Sequence, residues 1–405
     1  MKENVTIVGH IGRDLHLYVE DIEVINERLK DYIYGGLLFS EITNILQIQS
    51  LKDFISLLRN ESRNKQEYGY GGRAGHISYQ LGLLGYKPKI VCEVGSDYNR
   101  KYPGFYDGGY LEHLAKAGVD TKVLELRIVP DNLKNQRNFD DFIMRNYRER
   151  INEYGILLVN NKELPLIICV YDKMKRSIFF YDDTKSPTQI QRFRPAPIEL
   201  LKKTDFIFIT SAEDTFCSKV SREGQLLDKK VVMDVGSQNW RPEILKNTLF
   251  NINVLIANPN EIKGIFSLFN LKGNDFYELF RILRKNIEVI IVHDKQKLTT
   301  AFYDRDMFSK ESNLPRNIGP IKTKIRVNNI GCSDGFASGF LGFYCKGLEI
   351  IDCVRAGMII SASVWEGVDV HKQLLTKESF FKRFKESWGR YYSSKKIEIL
   401  EKLFK

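Results

Sequence analysis

Short apolar runs that end at a turn, recurring with helix-length stretches between them, constrain this chain more than any other feature. The first is Val5–Gly9 (VTIVG), apolar throughout and closed by glycine, the mark of a strand buried on both faces. Comparable runs lie at Ile90–Val94, Phe206–Thr210, Val231–Val235, Val254–Ala257 and Val289–Val292. Amphipathic stretches of helical length separate them, among them Ile77–Leu84, Tyr110–Ala117, Pro242–Thr248 and Phe276–Arg284. Strand alternating with helix predicts an α/β fold, doubly wound, with a mostly parallel central sheet and helices on both faces. Ligands of such a fold bind at the carboxyl ends of the strands.

Two stretches break this rhythm and read as insertions within a domain spanning 1–379. Residues 20–67 are charged and helix-prone, and residues 131–165 are polar, basic and rich in Asn. Beyond the second, Leu166–Val170 and Ser177–Tyr181 flank DKMKR and predict a β-hairpin outside the main sheet. Residues 380–405 form a basic, aromatic-studded helical segment.

With 43% hydrophobic and 28% charged residues, the 405-residue chain is neither disordered nor fibrous. Its six cysteines include no C-x-x-C pair, which argues against a zinc site or a disulfide framework and for buried thiols. No run approaches the roughly 18 apolar residues that cross a bilayer, and MKENVTIVGHIGRDL lacks a leader's apolar core, so a cytoplasmic protein without membrane contact is expected. A balance of 61 Lys+Arg against 51 Asp+Glu favours anionic partners such as nucleotides or phosphorylated products, unless it reflects compositional bias alone. No nucleic-acid-binding module accompanies the charge, and nucleic acid is not an expected partner.

The strongest local signal is NNIGCSDGFASGFLGFYCKG (Asn328–Gly347), a glycine-containing turn that runs into a helix rich in small residues. Asp334 falls in the first turn of that helix. Free N–H groups of residues 331–334 and the positive end of the helix dipole make an anion site, where a carboxylate stays ionised and ready to accept a proton. A base and an anion hole on one turn suit phosphoryl transfer: the carboxylate takes the acceptor's hydroxyl proton while the N–H groups hold charge on the moving group. The same pattern also suits a core helix that Asp334 merely caps.

Three weaker motifs accompany it. In YGYGGRAGH (Tyr68–His76), Gly71 and Gly72 let a backbone approach a ligand, and Arg73 and His76 offer donors. In GHIGRDL, Asp14 follows the first strand and can accept from sugar hydroxyls, or is simply a turn residue. NPNE places Asn258 and Glu261 after a strand, where they can hold waters on a magnesium ion or cap a helix.

In order, GHIGRD, GG-x-x-x-H, EVGSD (Glu93–Asp97), GVD (Gly118–Asp120), N-x-x-E and G-x-x-D-G-F resemble the ribokinase-like, or phosphofructokinase-B, family of sugar and nucleoside kinases. The initial VGH, VGSQNW (Val235–Trp240) and KGL ahead of SASVWEGVDV look closest to archaeal-type nucleoside kinases. The resemblance implies that Asp334 is the catalytic base and that Gly331, Cys332 and Ser333 form the anion hole. It further implies that Asn258 and Glu261 organise magnesium and phosphate, Glu261 through water, and that His293 and Lys295 stand at the nucleotide site. Asp14, Gly71, Gly72 and His76 would bind the acceptor. ATP and Mg2+ are the implied donor and cofactor, and a nucleoside or sugar is the implied small-molecule partner. A small β lid, including the 166–181 hairpin, would close over the acceptor, and pairing through the lid implies a homodimer.

The chain departs from the family pattern at four places. The usual G-A-G-D reads Gly331-Cys332-Ser333-Asp334, so Ser333 would carry strain of about 1–3 kcal/mol if its position required positive φ. His293-Asp294-Lys295 replaces Thr-x-Gly, His76 replaces Asn, and Asn328 replaces Asp. Two functions are therefore expected from sequence. One is an ATP-dependent kinase of a nucleoside or sugar hydroxyl with Asp334 as general base; the alternative is a catalytically impaired relative serving as ligand sensor or interaction scaffold.

Overall fold

The computed structural model describes residues 4–19, 33–34, 43–46, 62–98, 109–126, 136–147, 150–160, 164, 166–171, 176–181, 191, 193–236, 240–272, 275–283, 286–305, 315–325, 327, 329–367 and 370–404. Strand β1 (Val5–Val8) starts a ten-stranded sheet, and β2 (Gly12–Val19), β3 (Ile33–Tyr34), β4 (Thr43–Leu46) and β5 (Ser62–Gly71) belong to a second sheet of six. β6 (Lys89–Gly95), β7 (Val123–Leu126) and β8 (Ile156–Val159) return to the large sheet, whereas β9 (Leu166–Tyr171) and β10 (Arg176–Tyr181) join the second. The large sheet is completed by β11 (Phe206–Ile209), β12 (Lys230–Asp234), β13 (Val254–Ala257), β14 (Val289–Asp294), β15 (Thr299–Asp304) and β16 (Arg316–Ile318).

Its order is β16-β15-β14-β13-β12-β11-β1-β6-β8-β7. All pairs from β14 to β7 are parallel, and only β15 and β16 add an antiparallel edge. Successive side chains of a strand point to opposite faces, so an unbroken apolar run makes a strand covered on both sides. In β11, Phe208 joins one buried layer while Ile207 and Ile209 join the other. The first layer is closed by the helices Arg73–Leu83, Cys332–Tyr344 and Ile350–Trp365. The second is closed by Asp214–Leu226, Pro242–Leu249, Pro259–Leu268 and Phe276–Leu283. The doubly wound α/β architecture expected from the sequence is therefore present.

The second sheet runs β3-β4-β10-β9-β2-β5 and contains the expected 166–181 hairpin as β9 and β10, with Ile178 opposite Cys169. Two strands tie it to the main sheet. β2 begins four residues after β1 ends, and β5 passes through Gly72 directly into the Arg73–Leu83 helix. Residues at these two junctions are thus fixed where the two sheets meet.

The two stretches read as insertions contain sheet strands. What is described of residues 20–67 is strand rather than helix, namely β3, β4 and the start of β5, because cross-strand pairing in the second sheet overrides local helix propensity. Residues 131–165 hold a helix, Gln136–Asn146, and also β8, which sits between β6 and β7 in the main sheet. The C-terminal segment packs onto the body of the protein. Phe380, Phe384 and Phe404 surround Phe343, with ring centroids 5.5, 5.8 and 5.0 Å away. Cys92, Cys217, Cys332, Cys345 and Cys353 are buried, as the spacing suggests.

Candidate active site

Asp334 occupies the third position of the Cys332–Tyr344 helix and is buried, at 6% exposure. Gly331 precedes the helix in the left-handed region, at φ 74° and ψ −3°, and a Cβ there would lie 2.6 Å from Val370 Cγ2. Both the backbone and the space therefore require glycine at this turn. Positive φ falls on Gly331, while Ser333 is helical and is not among the non-glycine residues with positive φ. The strain expected at Ser333 is absent. Among the described residues, no hydrogen-bond acceptor meets the N–H of Ser333 or Asp334, whereas Cys332 N–H donates to the Asn329 carbonyl at 3.4 Å. A helix start leaves such N–H groups open.

Two side chains of one helix bind the Asp334 carboxylate, and β2, β5 and β12 supply their further partners. Arg73 Nε, on the first residue of the Arg73–Leu83 helix, donates to Oδ1 at 2.7 Å. His76 Nδ1, one turn along the same helix, lies 2.8 Å from Oδ2, and His76 Nε2 is 3.2 Å from the Tyr70 carbonyl and 3.8 Å from Asp14 Oδ2. Arg73 Nη2 also donates to Asp234 Oδ2 at the carboxyl end of β12, and Asp234 Oδ1 accepts from Gly236 N–H at 3.2 Å. Asp14, on β2, is 2% exposed.

The motif presents Gly71 and Gly72 as openings for a ligand, but the structure fills both places from within the protein. A Cβ on Gly71 would lie 1.8 Å from Asp14 Oδ1, and one on Gly72, at φ 84°, would lie 2.6 Å from Ile11 Cα. These glycines make room for the Asp14 carboxylate and for the link between β1 and β2. Tyr110 Oη donates to the Gly71 carbonyl at 2.6 Å and its ring stacks on Tyr70 at 4.4 Å, which fixes this corner.

The charges act on one another. Burial works against ionisation of Asp334, but the Arg73 guanidinium and the His76 ring outweigh it and hold the carboxyl at about 2. Burial likewise opposes charge on His76, and Asp334 and then Asp14 raise it above its ordinary value. The Asp234 carboxyl is pushed up by burial, against the pull of Arg73 and with the help of negative Asp334.

Asn258 and Glu261 form a complete capping box. Asn258 Oδ1 accepts from Asn260 and Glu261 N–H at 2.8 and 2.9 Å, and Glu261 Oε2 accepts from Asn258 N–H at 2.8 Å. The cap does not exhaust the carboxylate, since Oε1 has no hydrogen bond among the described residues. Burial first, then negative Asp234, pushes the Glu261 carboxyl up to about 7, while Arg73 and Lys295 pull the other way. Lys295, in the turn after β14, therefore faces this carboxylate electrostatically.

His293 does not join the group. Its Nδ1 is 3.0 Å from Thr300 Oγ1, its Nε2 is 3.1 Å from Ser361 Oγ, and its ring stacks on Phe336 at 4.2 Å. Burial, with Lys295 adding to it, lowers its pKa to about 3, so it is uncharged and has no spare nitrogen for a phosphate. Asp294, which the sequence brings toward the nucleotide, accepts from Gln296 and Lys297 N–H at 3.0 and 3.2 Å and closes the turn instead. Asn328 lies outside the described residues.

Asp234 does not stand out in the sequence. The available signal is its place at the carboxyl end of a buried parallel strand, where α/β sheets put their ligands. The neighbouring imidazoles belong to no motif either. His371 Nδ1 is 3.1 Å from His113 Nε2, and the His371 ring lies 5.1 Å from that of His76.

No family model matches the chain. Among curated proteins it is similar to a sugar kinase of Archaeoglobus fulgidus, 24% identical over 231 residues that cover 54% of this chain and 83% of the relative. It is also similar to a nucleoside kinase of Methanocaldococcus jannaschii, 20% identical over 371 residues, covering 91% and 98%. The crystal structure of that nucleoside kinase, described as an archaeal member of the ribokinase family, superposes with a TM-score of 0.61 at 19% identity, covering 95% and 98% of the two chains. Arabidopsis thaliana ribokinase, solved with ribose and ATP, gives 0.59 at 13% identity, covering 95% and 99%. The chain has a ribokinase-like fold, shared with these kinases, and is similar in sequence to archaeal sugar and nucleoside kinases.

Proposed function

We propose that this protein is an ATP-dependent kinase that transfers the γ-phosphoryl group to a hydroxyl of a nucleoside or sugar, with Asp334 as general base. The observation that carries this reading is the single turn holding an ionised carboxylate beside the open N–H groups of Ser333 and Asp334. The relatives support the substrate class, being named sugar and nucleoside kinases, and the solved ribokinase holds ribose and ATP.

Asp14 lies 3.8 Å from the His76 ring that holds Asp334, where it can accept from acceptor hydroxyls and aim one of them at the carboxylate, while His76, with both nitrogens engaged, fixes the carboxylate they approach. A carboxyl held at about 2 is a weak base, which suits a loose phosphoryl-transfer transition state in which the hydroxyl proton is lost late. The helix-start N–H groups would hold the negative charge that grows on the moving phosphoryl group. The second sheet, joined to the site through β2 and β5, would serve as the lid that excludes water, and pairing of two such sheets would make the homodimer.

Among the described residues no cluster of three or more His, Cys, Asp or Glu could hold a metal ion directly. The residues fit magnesium held through water instead: Glu261 keeps one oxygen outside its capping bond, and its raised pKa marks a carboxylate short of positive charge. When bound there, magnesium would neutralise charge on the phosphates of ATP. Asn258 would hold Glu261 in place through the capping box.

The alternative, a sensor or scaffold with the same fold, draws on the commitment of His293 and Asp294 to internal hydrogen bonds. Magnesium-dependent ADP formation across a panel of nucleosides, pentoses and hexoses separates the two. Stimulation by one acceptor class supports the kinase; neither turnover nor ATP binding supports the scaffold.

A further inference from the structure

Arg73 is held from two sides by carboxylates that come from different elements. Its Nε meets Asp334 in the first turn of one helix and its Nη2 meets Asp234 at the end of β12. The side chain has little room to move. A Cβ on Gly236, at φ 65°, would lie 2.0 Å from Arg73 Nη1, so glycine at this turn is what allows the guanidinium to sit between the two acids. A planar guanidinium can donate along two edges at once, which an ammonium cannot do with fixed geometry. Asp334 Oδ1 is thereby fixed by Arg73 while Oδ2 is shared with His76.

We propose that Arg73, anchored on Asp234, is a positioning residue that sets the orientation and the charge of the Asp334 carboxylate. The inference rests on the reading of Asp334 as the base, and it adds two residues that act through that base. The other titratable groups facing the cluster are His10 after β1, Asp14 on β2, His76 on the Arg73–Leu83 helix, Tyr110 on the Tyr110–Lys116 helix, Glu261 on the Pro259–Leu268 helix and, beyond Glu261, Lys295 after β14. Of these, His76 touches Asp334, so loss of Arg73 leaves the carboxylate one cationic partner rather than none.

The test follows the Asp334 carboxyl directly, without turnover. Protein labelled with carbon-13 at aspartate carboxyls is titrated from pH 2 to 8, with the Asp334 resonance assigned by its loss in Asp334→Asn. In the wild-type protein that resonance stays at its ionised position from pH 8 down to about 3. In Arg73→Gln its midpoint moves up by at least about one pH unit, since the nearest cation is gone. In Asp234→Asn it does not move up, because Arg73 remains and a neighbouring negative charge has been removed. This difference in sign is not expected if Arg73 only supports the fold.

Should Arg73→Gln fail to fold, Arg73→Lys keeps the charge but loses the fork, and its midpoint lies above that of the wild type by a smaller amount. An Asp334 resonance unmoved in the folded Arg73 variant overturns the proposal. The outcomes for this inference and for the kinase reading are separable. A protein without turnover whose Asp334 responds to Arg73 keeps the charge assignment and loses the kinase, and an active kinase with an unresponsive Asp334 does the reverse.

Discussion

Arg73 Nε donates to Asp334 Oδ1 across 2.7 Å, joining residues 261 positions apart in the chain. The contact exists because two helices begin at the same place. Arg73 is the first residue of one and Asp334 lies in the first turn of the other, and both helices cover the same face of the main sheet. Asp234, at the end of β12, meets the same guanidinium, so two helix starts and one strand end share one cation.

Asp14→Ala removes a buried carboxylate placed for acceptor hydroxyls. The acceptor KM is expected to rise about tenfold or more, since a hydrogen bond to a charged group contributes roughly 1.5–3 kcal/mol. The KM for ATP should change little. Steady-state kinetics with each substrate varied in turn checks this, and equal effects on both would remove Asp14 from the acceptor site.

Gly71→Ala should reproduce that kinetic signature without touching any ligand group. Its new Cβ would lie 1.8 Å from Asp14 Oδ1, so the carboxylate must shift. Overpacking of this kind costs about 1–3 kcal/mol, to be read from urea unfolding, and the acceptor KM should rise with it. A variant with unchanged stability and unchanged KM contradicts the placement of Asp14.

The expected fold class and the positions of the main strands were legible because each buried parallel strand is a nearly pure apolar run bounded by turns. Val254–Ala257 is matched to the residue. The strands β3, β4 and the start of β5 were not legible in this way. These strands of a mixed sheet lack a long apolar run of their own, and pairing partners elsewhere in the sheet decide their state. In the site, Asp334 could be found from its turn, and Asp14 and His76 from their motifs. The family pattern places His293 at the nucleotide, but its bonds to Thr300 and Ser361 depend on β15 and on the Ile350–Trp365 helix, which no local motif reveals. Arg73 was visible as a donor, and its bridging of two acids was not, because Asp234 is brought to it only by the sheet order.

Acid sensitivity follows from the same cluster. The Asp334 carboxyl is lowered from 3.8 to about 2, so its contribution to stability is present above about pH 4 and is lost as pH falls through 2. The contribution is on the order of 2 kcal/mol, because a tenfold change in proton affinity is equivalent to about 1.4 kcal/mol. Urea unfolding between pH 5 and 2.5 should show a shallower loss of stability for Asp334→Asn than for the wild type. Parallel curves would mean that Asp334 is not held ionised by Arg73 and His76.

Single-turnover formation of phosphorylated nucleoside or sugar from ATP and magnesium, in wild type and in Asp334→Asn, probes the central claim most directly. The account predicts product from the wild type, a rate lower by about 10²–10⁴-fold in the variant, and acceptor affinity within a few-fold of normal. Transfer at the wild-type rate by Asp334→Asn, or no phosphorylated product from the wild type with any acceptor of the panel, would contradict it.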